Sequence, residues 1–254
     1  MGTLRASAVM PQLAGLAAVA LVCLAVRSPL GMGAAFAVKS SAIFALVTLL
    51  AAAFLDRHHP FATFGPANHV TTARAALVAM AAGAIGEPPT PGVAAAAVSA
   101  GLVATLLDGV DGWLARRSRM TSPFGARFDM EVDALLIFAL AALAWEHGKA
   151  GWWVIASGLL RYAFVAAAWG WPWLASPLPP SRRRQTICVA QIVALLIVVS
   201  PVVEPPVSTS VAAASLGLLA GSFLVDTLWL WRGIHDTSPA YPHEAAKTTK
   251  PLVS

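Results

Sequence analysis

The sequence predicts an all-α integral membrane protein, and three observations lead there. Apolar residues make up 58% of the 254-residue chain and charged residues only 11%, whereas a soluble domain carries about a quarter charged residues. The apolar residues gather into eight runs, each near the roughly 17–25 residues that a helix needs to cross a bilayer. Basic residues then cluster in alternate links between those runs, as topology requires of membrane proteins. No polar stretch is long enough for a separate soluble domain. The net charge of +5 therefore reports topology and implies no nucleic-acid partner.

The first two runs lie near 9–26 and 33–55. Arg5 ahead of the first makes a cleaved signal sequence the alternative reading, but a second span follows at once and no clear cleavage site stands out. After the polar link DRHHPFATFGP, six more runs lie near 67–86, 92–115, 129–146, 151–174, 185–203 and 208–232. Alternating helix direction puts Arg5, the Asp56-Arg57-His58-His59 link, Arg116, Arg117, Arg119, Arg182, Arg183, Arg184 and the segment from Arg232 on one side. The opposite loops, such as GEPPTPG and VEPPV, hold few basic residues, with Arg27 and Lys149 as exceptions. By the positive-inside bias the first side is cytoplasmic, so the chain reads as a multi-pass protein of the cytoplasmic (inner) membrane. Lys39, early in the second span, is expected to snorkel to the outer interface. Trp145, Trp152 and Trp153 near one face, and Trp171, Trp173, Trp229 and Trp231 near the other, read as interfacial belts. Cys23 and Cys188 both lie in apolar runs, so no disulfide or metal-thiolate site is suggested. PWLASPLPPS reads as a loop, and residues 235–254 as a polar, poorly ordered tail.

The chemistry gathers in DGVDGWLARRSRMTSPFGARFDMEVD, residues 108–133, which holds four of the seven aspartates. Asp108 and Asp111 sit three apart at the end of the fourth span, and Asp129 and Asp133 four apart at the start of the fifth, so each pair shares a helix face. The link between them is short, which makes the spans antiparallel neighbours with converging carboxylates. Both pairs are on the cytoplasmic side. Carboxylates at the ends of membrane spans are costly, and Asp108 and Asp111 are disfavoured further by the helix C-terminus, so the four require cations. Oxygen-only ligands select Mg²⁺ or Mn²⁺, and four carboxylates are enough for two metal ions. Gly112, Ala115 and Gly125 clear space for a ligand against the backbone, and Arg116 offers a planar donor to phosphate oxygens. Together they describe a diphosphate site. The bland alternative has the aspartates paired with Arg116, Arg117, Arg119 and Arg127 in a solvated loop.

Asp108-x-x-Asp111-Gly112-x-x-Ala115-Arg116, then eight residues, Gly125, three residues, Asp129, three residues and Asp133 resembles the signature of the CDP-alcohol phosphotransferases at every fixed position. Upstream, Asn68-x-x-Thr71-x-x-Arg74 is similar to the opening of that family's first core helix. The resemblance implies a six-helix catalytic core, here 61–234, preceded by two transmembrane helices in 1–60 that lie outside it. It implies transfer of a substituted phosphate from a CDP-linked lipid donor to a small alcohol acceptor with release of CMP, within phospholipid biosynthesis. Asp108, Asp111 and Asp129 resemble ligands of two divalent metal ions, Mg²⁺ or Mn²⁺. Asp133 resembles a residue that touches the second metal and takes the acceptor's proton. Gly112, Ala115, Arg116, Gly125, Asn68 and Thr71 match positions that hold the cytidine nucleotide. The family also implies a homodimer, and a donor whose chains stay among the membrane lipids.

The acceptor is less legible. Arg161 lies near the middle of the sixth span, where an arginine marks function by default. It either holds an anionic acceptor or forms a structural ion pair, with Asp226 as the candidate partner. Arg182, Arg183 and Arg184 read as a cytoplasmic anchor before the seventh span, with Gln185 and Gln191 behind. With Arg161, Arg183 and Arg184 also make a basic pocket for a phosphate. The run resembles the basic segment of phosphatidylglycerophosphate synthases but departs from it in residues and offset. This favours glycerol 3-phosphate, then an inositol phosphate, over inositol or serine. A membrane prenyltransferase shares aspartate-rich helix ends but releases pyrophosphate. A divalent-cation carrier would hold its acidic residues near the bilayer midplane.

Overall fold

Among residues 2–179 and 181–235, which the computed structural model describes, the chain forms eight α-helices and no strands. They are α1 (Gly2–Arg27), α2 (Ala34–His58), α3 (Pro66–Gly83), α4 (Pro91–Ser118), α5 (Pro123–Glu146), α6 (Ala156–Gly170), α7 (Arg182–Val199) and α8 (Val207–His235). Short 3₁₀ turns at Trp152–Ile155 and Pro172–Ala175 flank α6, the second inside the expected Pro-rich loop. The expected tail beyond His235 lies outside the described residues. Local chemistry sets the starts: Pro66, Pro91 and Pro123 stand in the first turn, where the missing N–H costs nothing. Thr90 and Ser122 cap the N-termini of α4 and α5 with side-chain oxygens.

Five helical segments are long and apolar enough to span a membrane on their own, at Leu4–Arg27, Ala34–Leu55, Pro91–Ser118, Trp152–Gly170 and Val207–Gly233. The chain is a multi-pass membrane protein. Helices α3, α5 and α7 fall short of that measure because they carry the polar residues: Asn68 and Arg74, Asp129 and Asp133, and the arginines that open α7. Each buries much of its length inside the bundle. Helix α3 is central, packing on α4, α2, α5 and α1, while α4 and α5 touch each other little. The two aspartate pairs thus converge where α4 and α5 both meet α3. Small residues let helices approach: a Cβ on Gly158 of α6 would stand 2.5 Å from the Phe138 Cα of α5.

The end opposite the aspartates is tied by ion pairs that correct the expected snorkelling of Lys39. Its ammonium meets Glu87 Oε1 at 2.7 Å and the Ile85 carbonyl at 2.7 Å. Glu87 Oε2 also accepts the Gly33 N–H at 2.7 Å, joining the α1–α2 turn to the α3–α4 loop. Lys149, an exception to the charge asymmetry, is neutralised in the same way by Glu204 at 2.6 Å and the Val203 carbonyl at 2.8 Å. Trp145 and Trp152 are exposed at this end and Trp171, Trp229 and Trp231 at the other, whereas Trp153 and Trp173 are partly buried.

Glu87 titrates below its ordinary value of 4.5: burial opposes its charge, but the Lys39 ammonium and the Gly33 N–H outweigh burial. A carboxyl depressed in the folded state contributes stability that is full above its unfolded value and is lost as pH falls through the folded one. Glu87→Gln is therefore expected to lower thermal stability by about 1–3 kcal/mol at neutral pH. The gap from wild type should close as pH drops below 4.5, read from melting curves across pH.

Candidate active site

Arg74 gathers the four aspartates, and its side chain is only 1% exposed. Its guanidinium is a fork, and each tine bridges α4 to α5. Nη1 meets Asp111 Oδ2 at 2.7 Å and also pairs with Asp129. Nη2 meets Asp108 Oδ1 at 2.9 Å and Asp133 Oδ1 at 2.5 Å. Nε donates to the Ala104 carbonyl at 3.1 Å, which fixes the plane of the fork. The Thr71 hydroxyl, one turn earlier on α3, reaches Asp111 Oδ2 at 3.1 Å. The solvated-loop alternative is thereby corrected. Arg117 lies over Trp113 and Arg127 over Phe54, while Arg116 folds toward Gly112. Among the described residues the cation of the aspartates is Arg74.

One guanidinium cannot balance four carboxylates. Three negative charges remain if all are ionised, and buried uncompensated charge is strongly unfavourable. Asp108, Asp111 and Asp129 each offer an oxygen within 4.8 Å of the others, a grouping that can hold a metal ion. The donors are all oxygen, which suits a hard divalent cation. Charge and donor chemistry both fit. Asp133 stands outside that trio and is joined to it through Arg74 Nη2.

The residues expected to hold the nucleotide lie around this cluster. Asn68 and Thr71 are buried on α3, and a Cβ on Gly125 would stand 3.0 Å from Asn68 Oδ1. Gly112 and Ala115 are half-buried on α4 beside an exposed Arg116. On α7, Cys188 is partly buried. Gln191, one turn further along α7, is buried with no partner for its amide among the described residues.

The three arginines considered for an acceptor are each held by a carboxylate. Arg161 pairs with Glu131 at 2.6 Å, and not with Asp226. Asp226 instead takes Arg183, with Arg184 at 3.4 Å, and Arg183 also donates to Ser222 Oγ at 2.9 Å. Glu131 lies between Asp129 and Asp133 in sequence but points to another side of α5, because neighbours two apart on a helix diverge.

Fold and site together define a membrane-embedded helical bundle with an acidic centre at one end that can hold a divalent cation. The chain belongs to the CDP-alcohol phosphatidyltransferase family, whose profile matches residues 64–225. The match takes in the whole acidic stretch and leaves all of α1 and α2 outside. A CDP-diacylglycerol–glycerol-3-phosphate 3-phosphatidyltransferase of Pseudomonas fluorescens is 31% identical over 158 residues, covering 59% of this chain and 76% of the relative. No solved structure matches the chain.

Proposed function

We propose that this chain transfers a phosphatidyl group from CDP-diacylglycerol to glycerol 3-phosphate and releases CMP. The observation that carries the reading is the convergence of Asp108, Asp111, Asp129 and Asp133 on Arg74 at one end of the bundle. The acceptor rests on the similarity to the Pseudomonas relative. Asp108, Asp111 and Asp129 would hold two Mg²⁺ or Mn²⁺ ions, with Asp133 touching the second. Such ions neutralise charge on a diphosphate and on the leaving nucleotide. Asn68, Thr71, Gly112, Ala115, Arg116 and Gly125 line the nucleotide.

The acceptor oxygen attacks the phosphorus that bears the diacylglycerol. The bond from that phosphorus to the bridging oxygen breaks, and CMP leaves with the oxygen. Asp133 takes the hydroxyl proton. Arg161 holds the acceptor's phosphate, exchanging its contact with Glu131. Arg183 and Arg184 on α7, already engaged by Asp226 of α8, add positive charge on the side from which the acceptor comes. The aspartate end faces the cytoplasm, where CMP and the acceptor are soluble, and the protein resides in the cytoplasmic membrane as a homodimer. Residues 1–60 form a unit ahead of a catalytic core at 61–234.

The test supplies purified protein with CDP-diacylglycerol, Mg²⁺ and one acceptor at a time, and identifies the lipid product by mass. Phosphatidylglycerophosphate from glycerol 3-phosphate is expected. A product formed only from an inositol phosphate, inositol or serine would keep the chemistry and replace the acceptor. No product with any of them would overturn the reading.

A further inference from the structure

The two helices ahead of the core have no part in the reaction described so far, yet each is hydrogen-bonded toward it. His59 ends α2 and is 6% exposed, between the rings of Phe61 and Phe124. Its Nε2 lies 2.9 Å from the Thr63 carbonyl. A carbonyl only accepts, so Nε2 carries a proton, and in the neutral ring Nδ1 is left as the acceptor. Ser122 Oγ, 3.1 Å from Nδ1, therefore donates to His59 while accepting the Gly125 N–H at 3.0 Å. The hydroxyl that caps α5 is aimed from both sides, and one of those sides belongs to α2.

Helix α1 reaches the facing residue by a separate route. Ser7 Oγ donates to the Leu4 carbonyl at 2.7 Å and accepts the Phe64 N–H at 3.0 Å. The Phe64 carbonyl in turn accepts from the Asn68 amide at 2.5 Å. The other amide atom of Asn68, Oδ1, is the one that stands against Gly125. Asn68 and Gly125 therefore face each other, and each is held from behind by a different helix of the N-terminal pair.

We propose that the α1–α2 hairpin sets the nucleotide wall of the site, with His59 and Ser7 as positioning residues acting through Ser122 and Phe64. What is positioned rests on the function proposed above; the relay itself does not. A hairpin that only anchored the core would need neither a buried histidine on the α5 cap nor a serine on the backbone leading to Asn68.

The test compares wild type with His59→Ala, Ser122→Ala, Ser122→Thr, Ser7→Ala and Leu21→Ala, the last on a lipid-facing position of α1 that is 68% exposed. Two readouts are taken: steady-state kinetics with CMP affinity, and amide hydrogen exchange in segments 64–70 and 122–128. His59→Ala and Ser122→Ala should raise the donor KM and weaken CMP about tenfold, with kcat within about threefold of wild type. Exchange at Gly125 should quicken by about tenfold in both, and Ser7→Ala should do the same near Asn68. Ser122→Thr keeps the hydroxyl and should restore wild-type behaviour, and Leu21→Ala should not depart from it. Unchanged exchange and KM in Ser122→Ala would overturn the proposal, and that variant decides the matter if His59→Ala does not fold. A fall in kcat at constant KM would also overturn it, reducing the contacts to scaffolding. Wild type that binds no cytidine nucleotide would defeat the proposed function, while the exchange data would still judge the relay.

Discussion

An Asp133→Asn protein is expected to lose phosphatidyl transfer by about 10²–10⁴-fold, the span of general-base contributions, while binding CMP as wild type does. The substitution keeps size and leaves an amide oxygen to accept from Arg74 Nη2, which now sits 2.5 Å from Asp133 Oδ1. What it removes is the capacity to take a proton. Asp133 stands outside the trio of closely spaced carboxylates, so its loss leaves Asp108, Asp111 and Asp129 together. Single-turnover CMP release and equilibrium CMP binding separate the two effects. Turnover retained in this variant would remove Asp133 from the role of base.

Arg74 carries the second large effect, and its two obvious replacements should fail differently. Arg74→Ala leaves four carboxylates of α4 and α5 without their guanidinium, at a cost in stability of about 3–5 kcal/mol. Millimolar Mg²⁺ should recover part of that loss, and should stabilise this variant more than wild type. Arg74→Lys keeps the charge but not the fork: one ammonium cannot reach Asp111 and Asp129 on one side and Asp108 and Asp133 on the other. It should fold and lose about 10²-fold in rate, the scale of a misplaced catalytic group. Thermal unfolding with and without Mg²⁺, alongside CMP release, distinguishes these outcomes. An alanine variant that folds and turns over normally would show that the fork does not hold the aspartates.

The acidic stretch is legible in the sequence because helical spacing alone puts each aspartate pair on one face, and the eight helices follow from apolar run length. Arg74 is harder to see. The motif Asn68-x-x-Thr71-x-x-Arg74 is visible, and an arginine inside a span signals function as much there as at Arg161. Its partners, however, lie 34 to 59 positions away and are fixed only once α3 packs between α4 and α5. The partner of Arg161 shows a related limit. Asp226 and Glu131 are both plausible carboxylates, and only the rotation of α5 turns Glu131 outward from the aspartates. Lys39 reads as a snorkelling lysine because Glu87 lies in a distant loop, brought close by the turn between α1 and α2. His59 sits in a link that reads as plain polar chain, and its contact with Ser122 spans 63 positions with no local pattern.

In the proposed reaction the aspartates hold divalent ions on which transfer depends. The direct measurement is CMP release from CDP-diacylglycerol and glycerol 3-phosphate by metal-stripped protein, followed as Mg²⁺ or Mn²⁺ is added back. No release without metal is predicted, with full recovery on addition for wild type and none for Asp111→Asn. Undiminished turnover in the stripped protein, or metal-dependent turnover that survives loss of Asp111, would contradict it.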